Sequence, residues 1–338
     1  MVTRRSSGKA QTKRFQALLL DWYDAHARDL PWRATSDPYN IWVSEIMLQQ
    51  TRVAAVIVHY HEFLRLFPTV QKLAAARESS VLAAWSGLGY YRRARMLQAA
   101  AKVIAGELGG VFPRTSSEWR ELPGIGRYTA AAIASIAFGE AIAVVDGNVE
   151  RVLRRLAGKV LAGQEVWATA EGMLYRNRPG DFNQAMMELG ATVCTPRAPA
   201  CLMCPVTDLC RTRGELRGDL RKSSQRKREV DYALDLRNGA VFMVQRPSNT
   251  SLMAGMWELP EIAPPGDCGE PALVVRHSIT VTDYQVRVWY QPTDHASHAS
   301  GKWIERRNVH KLPLTGLARK ILRKEGLMEE RPRHGKAK

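Results

Sequence analysis

Two carboxylates in different surroundings are the strongest sign of chemistry in this sequence. Glu45 lies in Ile41-Trp-Val-Ser-Glu-Ile-Met-Leu48, which is apolar on nearly every side. A helix of that composition is buried, and burial raises the pKa of a carboxyl group until it can donate a proton near neutral pH. A buried ion pair between Glu45 and an arginine explains the pattern about equally well.

Asp146 is the second carboxylate. It follows the apolar segment Ala141–Val145, and the amide of Asn148 is near enough in sequence to orient it. An aspartate before a helix is also a common N-cap. A proton donor paired with a carboxylate that faces a cation suits cleavage of a C–N or C–O bond to a sugar. The nucleic-acid version releases a base from deoxyribose, which requires that the base be flipped out of the stack.

Four cysteines, Cys194, Cys201, Cys204 and Cys210, lie close together in the sequence. Zinc sites built from four thiolates more often use two C-x-x-C pairs, and here only one pair is that close. Thiolates are the usual ligands of iron–sulfur clusters. The spacing therefore favours an iron–sulfur cluster. Cys268 stands far away in a Pro/Gly loop and is predicted to be a free thiol without a role.

A short turn, Leu122-Pro-Gly-Ile-Gly126, separates two helical patterns. Gly124 and Gly126 can adopt backbone angles that other residues resist. Such a turn exposes N–H groups at the start of the following helix, which makes an anion site. An ordinary helix–helix turn is the alternative explanation. In a basic protein the segment is predicted to hold a phosphate.

The chain is strongly basic. Its 338 residues carry a net charge of +16, which favours a polyanion such as DNA or RNA as the partner. The sequence has no apolar run long enough for a transmembrane helix and no apolar segment typical of a secretory signal. We therefore expect a cytoplasmic protein with reduced thiols and no membrane partner.

Helical periodicity dominates the first two thirds of the chain, which is predicted to be all-α. Residues 1–14 are basic and predicted to be disordered. Helices are expected at 15–27, from Pro38 to Gln50, and at about 52–66, 79–85, 91–107, 116–121, 127–138, 148–157, 165–176 and 181–191.

The last third changes to strand periodicity, which indicates a separate α+β domain. Residues 232–236 and 240–245 flank Asn238-Gly239, a strong signal for a two-residue hairpin. Further strands are expected at 273–275 and around 281–290, and Thr315 is predicted to cap a closing helix.

Six segments, together with the cysteine spacing, resemble one family. The chain is identified by them as a member of the MutY-type adenine DNA glycosylases, within the helix-hairpin-helix superfamily that also holds endonuclease III. The resemblance covers residues 15–210 closely and 232–325 more loosely. The segments are LPWR (30–33), PYNIWVSEIMLQQT (38–51), GLGYYRRAR (87–95), LPGIGRYTA (122–130), VDGNVERVL (145–153) and NQAMMELGATVC (183–194).

The resemblance implies a role for each site residue. Glu45 is the general acid at the adenine N7. Asp146 stabilises the cationic or covalent sugar intermediate, and Asn148 and Tyr128 position it and the reacting groups. The remaining residues are implied to bind adenine or DNA: Glu188 contacts the adenine, Gln50 enters the duplex where the adenine leaves, Tyr90 stacks nearby, Arg28, Leu30 and Trp32 line the pocket wall, and Gly124 and Gly126 hold a phosphate.

Tyr128 distinguishes two kinds of relative. By the resemblance, an endonuclease III-type enzyme carries a lysine there, which attacks the sugar and forms a Schiff base. A tyrosine cannot do so. The Asp-Gly-Asn of residues 146–148, in place of that relative's Asp-Thr-His, indicates the same difference. Hydrolysis to an abasic site without efficient strand cleavage is therefore implied.

The C-terminal part resembles the Nudix-like domain with which the family senses 8-oxoguanine opposite the adenine, and residues 246–260 match it best. The family often has a Phe-Ser-His-like loop. The nearest match here is Val275-Arg276-His277-Ser278, so only His277 is carried over, and an ordinary surface histidine is the alternative. The glutamate-rich Nudix box is missing from the sequence, so hydrolysis of nucleoside diphosphates is not expected.

The implied fold is mainly α: a helix-hairpin-helix glycosylase with a six-helix barrel and an iron–sulfur domain, followed by an α+β Nudix-like domain. The expected cofactors are a structural [4Fe–4S] cluster and a cation at the hairpin. The expected partner is duplex DNA with adenine opposite 8-oxoguanine or guanine, bound by a monomer associated with a bacterial-type nucleoid.

The predicted domain boundaries are 15–30 with 140–215 for the cluster domain, 31–139 for the barrel, 216–231 for a basic linker, 232–326 for the Nudix-like domain and 327–338 for a basic tail.

Three other functions remain open from the sequence. An endonuclease III-like glycosylase and lyase shares the hairpin and cluster. A non-catalytic iron–sulfur DNA-binding module needs the cysteines but not both Glu45 and Asp146. A Nudix-type phosphohydrolase is disfavoured by the missing box. Phosphate contacts position a protein without specifying its chemistry, so the basic residues do not decide among these functions.

Overall fold

The structure is a computed structural model that describes residues 2–216, 226–250, 252–266, 269–279, 282–293 and 300–328. Most of the predicted linker, Cys268 and the tail from residue 329 onwards lie outside these residues. Within the described ranges, no helix combines the length and the apolar character that a membrane crossing requires.

The first two thirds of the chain is helical, as predicted. The helices are α1 (Val2–His26), α2 (Pro38–Leu48), α3 (Val53–Leu66), α4 (Val70–Ala75), α5 (Glu78–Trp85), α6 (Arg92–Gly106), α7 (Ser116–Trp119), α8 (Arg127–Phe138), α9 (Gly147–Ala157), α10 (Gln164–Met173) and α11 (Pro179–Thr192). Short 3₁₀ turns span Pro31–Arg33, Cys201–Met203 and Thr207–Leu209.

Two helices correct the sequence predictions. Disorder was expected over residues 1–14, but α1 begins at Val2. Its residues 8–14 are mostly exposed, and several of them, such as Ala10 and Lys13, have high helix propensity, so they extend the helix without an apolar face. The prediction also missed α4, whose six residues are too few to show a helical period.

The chain divides into two compact units. One consists of Met1–Gln50 and Val103–Arg221, and the other of Thr51–Lys102 and Lys222–Lys338. This division differs from the predicted boundaries, which place residues 31–139 in one barrel, and those boundaries stay a prediction. In the first unit, α1, α9 and α11 share an apolar core of buried side chains that includes Phe15, Leu19, Val152, Leu153, Phe182, Met186 and Leu189.

Helices α8 and α11 approach each other closely because small residues line the contact. The side of α8 is built from buried alanines, among them Ala131 and Ala132. On α11, a Cβ added to Gly180 would lie 2.7 Å from the Ser135 carbonyl oxygen and 2.9 Å from the Ile136 Cα. Any larger residue at position 180 must therefore push the two helices apart.

In its described residues, the C-terminal part contains two four-stranded sheets and a helix. The strands are β1 (Arg226–Ala233), β2 (Leu236–Arg237), β3 (Ala240–Gln245), β4 (Trp257–Glu258), β5 (Glu261–Ile262), β6 (Leu273–Ile279), β7 (Thr282–Trp289) and β8 (Gly301–Glu305), and α12 spans Gly316–Lys324. The first sheet has the order β5-β1-β7-β6 with β1 and β7 parallel, and the second joins β2, β3, β4 and β8. Buried residues of α12, including Leu317, Ile321 and Leu322, share their core with residues of both sheets.

The predicted hairpin is confirmed at its turn and corrected in its strands. Asn238 and Gly239 have φ of 48° and 75°, as a type I′ turn requires. The strand before the turn is β2, however, whereas Tyr232 belongs to β1 and pairs with β7 and β5. Residues 226–231 of the predicted linker also belong to β1: backbone pairing accepts the exposed charged side chains of 226–229, and the buried Asp231 is paired with Arg287.

The α8–α11 contact predicts a loss of stability on adding one methyl group. We expect Gly180→Ala to lower the free energy of unfolding by about 1–3 kcal/mol, the usual cost of overpacking a tight contact. Gly172 is the matched control, because it is also helical but has open space around its Cα. Gly172→Ala should instead stabilise the protein slightly, and urea unfolding of both variants would contradict the packing argument if they behaved alike.

Candidate active site

Glu45 is buried in α2, and only 5% of its surface is exposed. Asp37 is the N-cap of helix α2, and its side chain accepts a hydrogen bond from the Tyr39 N–H. Pro38 occupies the first turn of the helix. The Glu45 Oε2 accepts a hydrogen bond of 2.7 Å from the Tyr128 hydroxyl. Burial raises the pKa of Glu45 to about 7, which outweighs the opposite effect of the hydrogen bond from Tyr128. The carboxyl group can therefore carry a proton at neutral pH.

Asp146 is the N-cap of α9, and the second oxygen of its carboxylate also has a hydrogen-bond partner. Its Oδ1 accepts from the Val149 N–H at 2.7 Å, and its Oδ2 accepts from the Asn148 side-chain amide at 2.9 Å. Burial raises the pKa of Asp146, while these two hydrogen bonds act to lower it. The group thus has fixed partners for its charged form, whereas Glu45 lies in a more apolar environment.

Tyr128 and Asp146 both affect the pKa of Glu45. Burial, followed by the nearby charges of Glu45 and Asp146, raises the pKa of Tyr128 well above its ordinary value, so its hydroxyl keeps the proton that it donates. The charge of Asp146 also raises the pKa of Glu45. The structure therefore brings together two carboxyl groups whose pKa values are both raised by burial, but whose hydrogen-bond partners differ.

The buried ion pair expected as an alternative for Glu45 occurs at Glu188 instead. Both oxygens of Glu188 accept from Arg28, at 2.6 and 2.7 Å, and Oε2 also accepts from Arg33 at 2.8 Å. Burial raises the Glu188 pKa, but the hydrogen bonds from the two arginines prevail and hold it below its usual value. Leu30 and Trp32, on the turn between these arginines, are buried.

The hairpin lies between α7 and α8. Gly124 has a φ of 76°, which favours glycine. Gly126 has a φ of −89° and is the N-cap of α8, so the predicted need for special backbone angles is wrong for Gly126. Its lack of a side chain instead leaves the start of α8 open, since a Cβ there would meet nothing within 4 Å. The phosphate and the cation at this hairpin stay predictions.

Gln50 and Tyr90 are both exposed residues with positive φ, 54° and 47° respectively. Non-glycine residues rarely adopt this conformation, and it clusters at functional sites. Gln50 follows α2 in the first unit, and Tyr90 lies between α5 and α6 in the second. Their predicted insertion into DNA stays a prediction.

His277 lies in strand β6 rather than in a loop. It is half-buried, and its Nε2 is 3.5 Å from the position of a Cβ on Gly316, the first residue of α12. Burial lowers the His277 pKa, and the charge of Lys320 adds to this effect. His277 is thus a partly buried histidine of a strand, and its role in lesion recognition stays a prediction.

The four cysteines form a basic, partly buried site. Burial raises the thiol pKa of Cys194 and that of Cys204, the latter to about 11, and the charges of Cys194, Cys210 and Cys201 add to the effect at Cys204. A bare thiolate is therefore costly here unless a cationic metal group compensates its charge. Two N–H donors already face the sulfurs: Arg155 Nη1 is 3.5 Å from Cys194 Sγ, and the Arg213 N–H is 3.5 Å from Cys210 Sγ.

These observations fit an iron–sulfur cluster. Thiolates are the usual ligands of such a cluster, and four of them lie within residues 194–210. N–H donors to sulfur are among the groups that tune a cluster. The cysteines Cys194, Cys201, Cys204 and Cys210 would hold it.

Besides Arg33, sequence reasoning missed three residues that support the site. Arg151 donates to Asn148 Oδ1 at 2.8 Å and to the Cys194 carbonyl oxygen at 2.7 Å, so it joins the segment of Asp146 to the cysteine loop. Met187 accepts from the Tyr128 hydroxyl at 3.5 Å. Arg155, only 2% exposed, donates to the carbonyl oxygens of Thr195 and Pro196. The spacing of Arg151 and Arg155, one and two turns after Asn148, is the signal that could have found them.

Comparisons with known proteins agree with this geometry. Residues 43–160 match the model of the HhH-GPD superfamily base excision DNA repair proteins, and residues 194–210 match the iron–sulfur binding domain of endonuclease III. A thermostable thymine-DNA glycosylase of known structure is 31% identical with a TM-score of 0.58, and the match covers 61% of this chain and 98% of that protein. The chain therefore belongs to the helix-hairpin-helix superfamily of base excision DNA repair proteins.

Within that superfamily, the predicted resemblance to adenine DNA glycosylases is confirmed. The adenine DNA glycosylase of Homo sapiens is 39% identical over 354 residues, covering 86% of this chain and 64% of the relative. That of Mus musculus is 42% identical over 319 residues, covering 76% and 62% respectively. The chain thus spans less than two thirds of the length of these relatives. The helix-hairpin-helix fold and the iron–sulfur cluster expected from the sequence are confirmed as well.

The burial of Glu45 predicts a pH-dependent cost in stability. Its pKa is 4.5 ordinarily and about 7 in the folded protein, so ionised Glu45 costs the folded state about 3 kcal/mol. This cost is absent below pH 4.5, grows as the unfolded chain ionises first, and is complete above pH 7. We expect Glu45→Gln to raise the thermal midpoint at pH 8 but not at pH 4.5.

Glu107, exposed just after α6, provides the control for that measurement. Glu107→Gln should change the thermal midpoint little at either pH. A Glu45→Gln variant with the same midpoint shift at both pH values would show that Glu45 is not held in a raised-pKa environment.

The cysteine site predicts a selective loss of iron. We expect the purified protein to show broad visible absorbance, and Cys204→Ser to lose most of that absorbance and the bound iron, because a cluster needs all four thiolates. Cys268→Ser serves as the control and should retain both. Equal iron content in the two variants, measured by iron analysis, would contradict the assignment of the ligands.

Proposed function

We propose that the chain is an adenine DNA glycosylase that removes adenine opposite 8-oxoguanine or guanine in duplex DNA. The observation that carries the proposal is the pairing of Glu45, whose pKa is raised to about 7 by burial, with Asp146, whose charged form has two hydrogen-bond donors. One group can give a proton to a leaving base while the other faces the positive charge that develops on the sugar.

Glu45 acts as the general acid. Its Oε2 is occupied by the Tyr128 hydroxyl, which leaves Oε1 to carry the proton towards the adenine N7. As the proton is transferred, the bond between the sugar C1′ and the adenine N9 breaks, and its electron pair leaves with the base. Tyr128 then donates to a carboxylate rather than to a carboxylic acid, and charge-assisted hydrogen bonds of this kind are stronger.

Asp146 stabilises the sugar. When the base leaves, C1′ becomes cationic, and the carboxylate provides the opposite charge or forms a short-lived covalent bond to it. Asn148 holds the Oδ2 oxygen and Val149 holds Oδ1, so the group does not need to reorganise during the reaction. Water then adds at C1′ and its proton returns to Glu45, which leaves free adenine and an abasic site.

The pocket wall supports recognition of a flipped adenine. Glu188 is proposed to contact the base, although both of its oxygens are bound by Arg28 and Arg33 in this structure. Arg28 is the more exposed of these partners, at 39% against 15% of the side chain, so it is the partner that can give way. Trp32 and Leu30 then supply apolar contacts beside the base.

DNA binding is proposed to use the hairpin and the basic charge of the chain. Gly124 and Gly126 leave the N-terminus of α8 open to a phosphate. Gln50 and Tyr90 are proposed to enter the duplex around the extruded adenine, and His277 to sense the opposite 8-oxoguanine. The protein is proposed to act as a monomer on nucleoid DNA, and its cluster to orient the DNA-binding loop.

Endonuclease III-like lyase activity is the alternative reaction. It needs an amine that attacks C1′, and the position in question holds Tyr128, whose hydroxyl is bound to Glu45. Borohydride should therefore trap little covalent protein–DNA adduct. A major trapped adduct would favour the lyase over simple hydrolysis.

The decisive experiment is single-turnover release of adenine from duplexes with A opposite 8-oxoguanine, G or T, each with and without alkali. We expect release from the first two, strand breaks only after alkali, and a rate that falls as the pH rises through about 7, because Glu45 must be protonated. Equal inactivity on all three duplexes would exclude the proposed function.

Asp146→Asn distinguishes the enzyme from a non-catalytic DNA-binding module. Asparagine is as good an N-cap as aspartate, so α9 and the fold should be retained. We expect DNA binding to persist while the rate of adenine release falls by about 100-fold or more, as on removal of an electrostatic stabiliser. Retained release at the wild-type rate would place the chemistry elsewhere.

A further inference from the structure

A strained loop joins α5 to α6 in the second compact unit. Gly87, Gly89 and Tyr90 all have positive φ, at 112°, 70° and 47°. Tyr90 is 45% exposed, so packing around its ring does not account for its conformation. A non-glycine residue persists in this conformation only when its surroundings hold the backbone there.

Both ends of this loop are tied to one carbonyl group. The Ser86 hydroxyl donates to the Leu314 carbonyl oxygen at 2.8 Å, and the Tyr91 hydroxyl donates to the same oxygen at 3.0 Å. Ser86 and Leu314 are completely buried and Tyr91 is 4% exposed. The two hydroxyls therefore fill both acceptor positions of a buried oxygen, which would be costly to leave unpaired.

The segment that carries this carbonyl is fixed on its other side. Residues Pro313 to Thr315 run parallel to β4: the Trp257 N–H donates to the Pro313 oxygen at 2.8 Å, and the Thr315 N–H donates to the Trp257 oxygen at 2.9 Å. Thr315 then caps α12 by accepting from the Ala318 N–H. The Leu314 oxygen thus has a position set by the sheet and by the start of α12.

The same segment leads to His277. Gly316, two residues after Leu314, faces the His277 ring, with Nε2 at 3.5 Å from the position of a Cβ. Lys320, one turn later on α12, donates to the carbonyl oxygen of Arg276 at 2.6 Å. Strand β6 is thus in contact with α12, whose first residue lies two residues after Leu314.

Besides the contact of Ser86 and Tyr91 with the Leu314 oxygen, Arg95 makes a second polar contact with the C-terminal part. Arg95, one helical turn after Tyr91 and so on the same face of α6, donates to the Ala254 carbonyl oxygen at 2.5 Å and to Glu78 at 2.8 Å. The segment of residues 51–102 is thus attached to the C-terminal domain by side chains that flank the Tyr90 loop.

We propose that Ser86 and Tyr91 are positioning residues that make the conformation of the Tyr90 loop depend on the state of the C-terminal domain. The path runs from His277 through Gly316 and Leu314 to both ends of the loop. A base opposite the adenine that engages the C-terminal domain stabilises the Leu314 segment, and this stabilises the strained conformation of Tyr90. The inference rests on the proposed function, since it concerns the choice between 8-oxoguanine and guanine.

The test uses the full-length protein with Tyr91→Phe, Ser86→Ala and both together. Each change removes a hydroxyl and leaves the apolar part of the side chain. We expect the ratio of adenine release rates, 8-oxoguanine duplex over guanine duplex, to fall about tenfold in the double variant, the effect of two hydrogen bonds to one buried acceptor. Release from the guanine duplex should change less than twofold.

Tyr232→Phe is the control, because Tyr232 is a buried tyrosine of β1 in the same compact unit and should leave the ratio unchanged. An unchanged ratio in the double variant overturns the inference. Equal slowing on both duplexes also overturns it, because it would show that the contact is only a structural anchor.

Hydrogen exchange without DNA provides a readout that does not depend on activity. We expect amides of residues 87–93 and 314–320 to exchange faster together in Tyr91→Phe, and not in Tyr232→Phe. If the wild-type protein released no adenine from either duplex, the proposed function would fail, while exchange would still decide whether the two segments are linked. Unchanged exchange in Tyr91→Phe would overturn the link itself.

Discussion

The burial of one carboxyl group in α2 is the constraint on which the rest of the site depends. Glu45 is useful as an acid only because the surrounding helix is apolar and because its hydrogen-bond donor is a neutral hydroxyl. An arginine in the place of Tyr128 would stabilise the charged form and lower the pKa, as Arg28 and Arg33 do for Glu188. The charge of Arg33, which is paired with Glu188, also lowers the Glu45 pKa, but its effect is smaller than that of burial.

Helix α11 organises the first unit. Met187 and Glu188 face the site, and Gly190 lies against the start of α9, where a Cβ would be 2.6 Å from the Asn148 Cβ. The first cysteine of the cluster follows two residues after the end of α11. Arg151 donates to the Gly190 and Cys194 carbonyl oxygens and to Asn148. The position of Asp146 is thus determined by close helix packing and by the cysteine loop together.

Sequence reasoning identified the two carboxyl groups that the structure brings together and missed many of the residues that hold them. Glu45 and Asp146 stand out because a charged residue in an apolar segment has few explanations. Arg33 carries no such signal, since an arginine on a turn is ordinary until its partner is known. The pairing of β1 with β7 could not be predicted from the local sequence pattern either, because a parallel partner strand is determined by distant residues. The Asn238-Gly239 turn was predictable because its backbone angles restrict the residue types.

The continuity of α11 limits how this protein can be altered. At a rise of about 1.5 Å per residue, Glu188 lies about 6 Å along the axis from Thr192, the last residue of α11, and the ligand Cys194 follows two residues later. An inserted or deleted residue between them would turn the ligand by about 100° around the axis. The register between Glu188 and the first cysteine is therefore fixed, so side chains on α11 can be exchanged, but its length cannot be changed without reorienting one of the two.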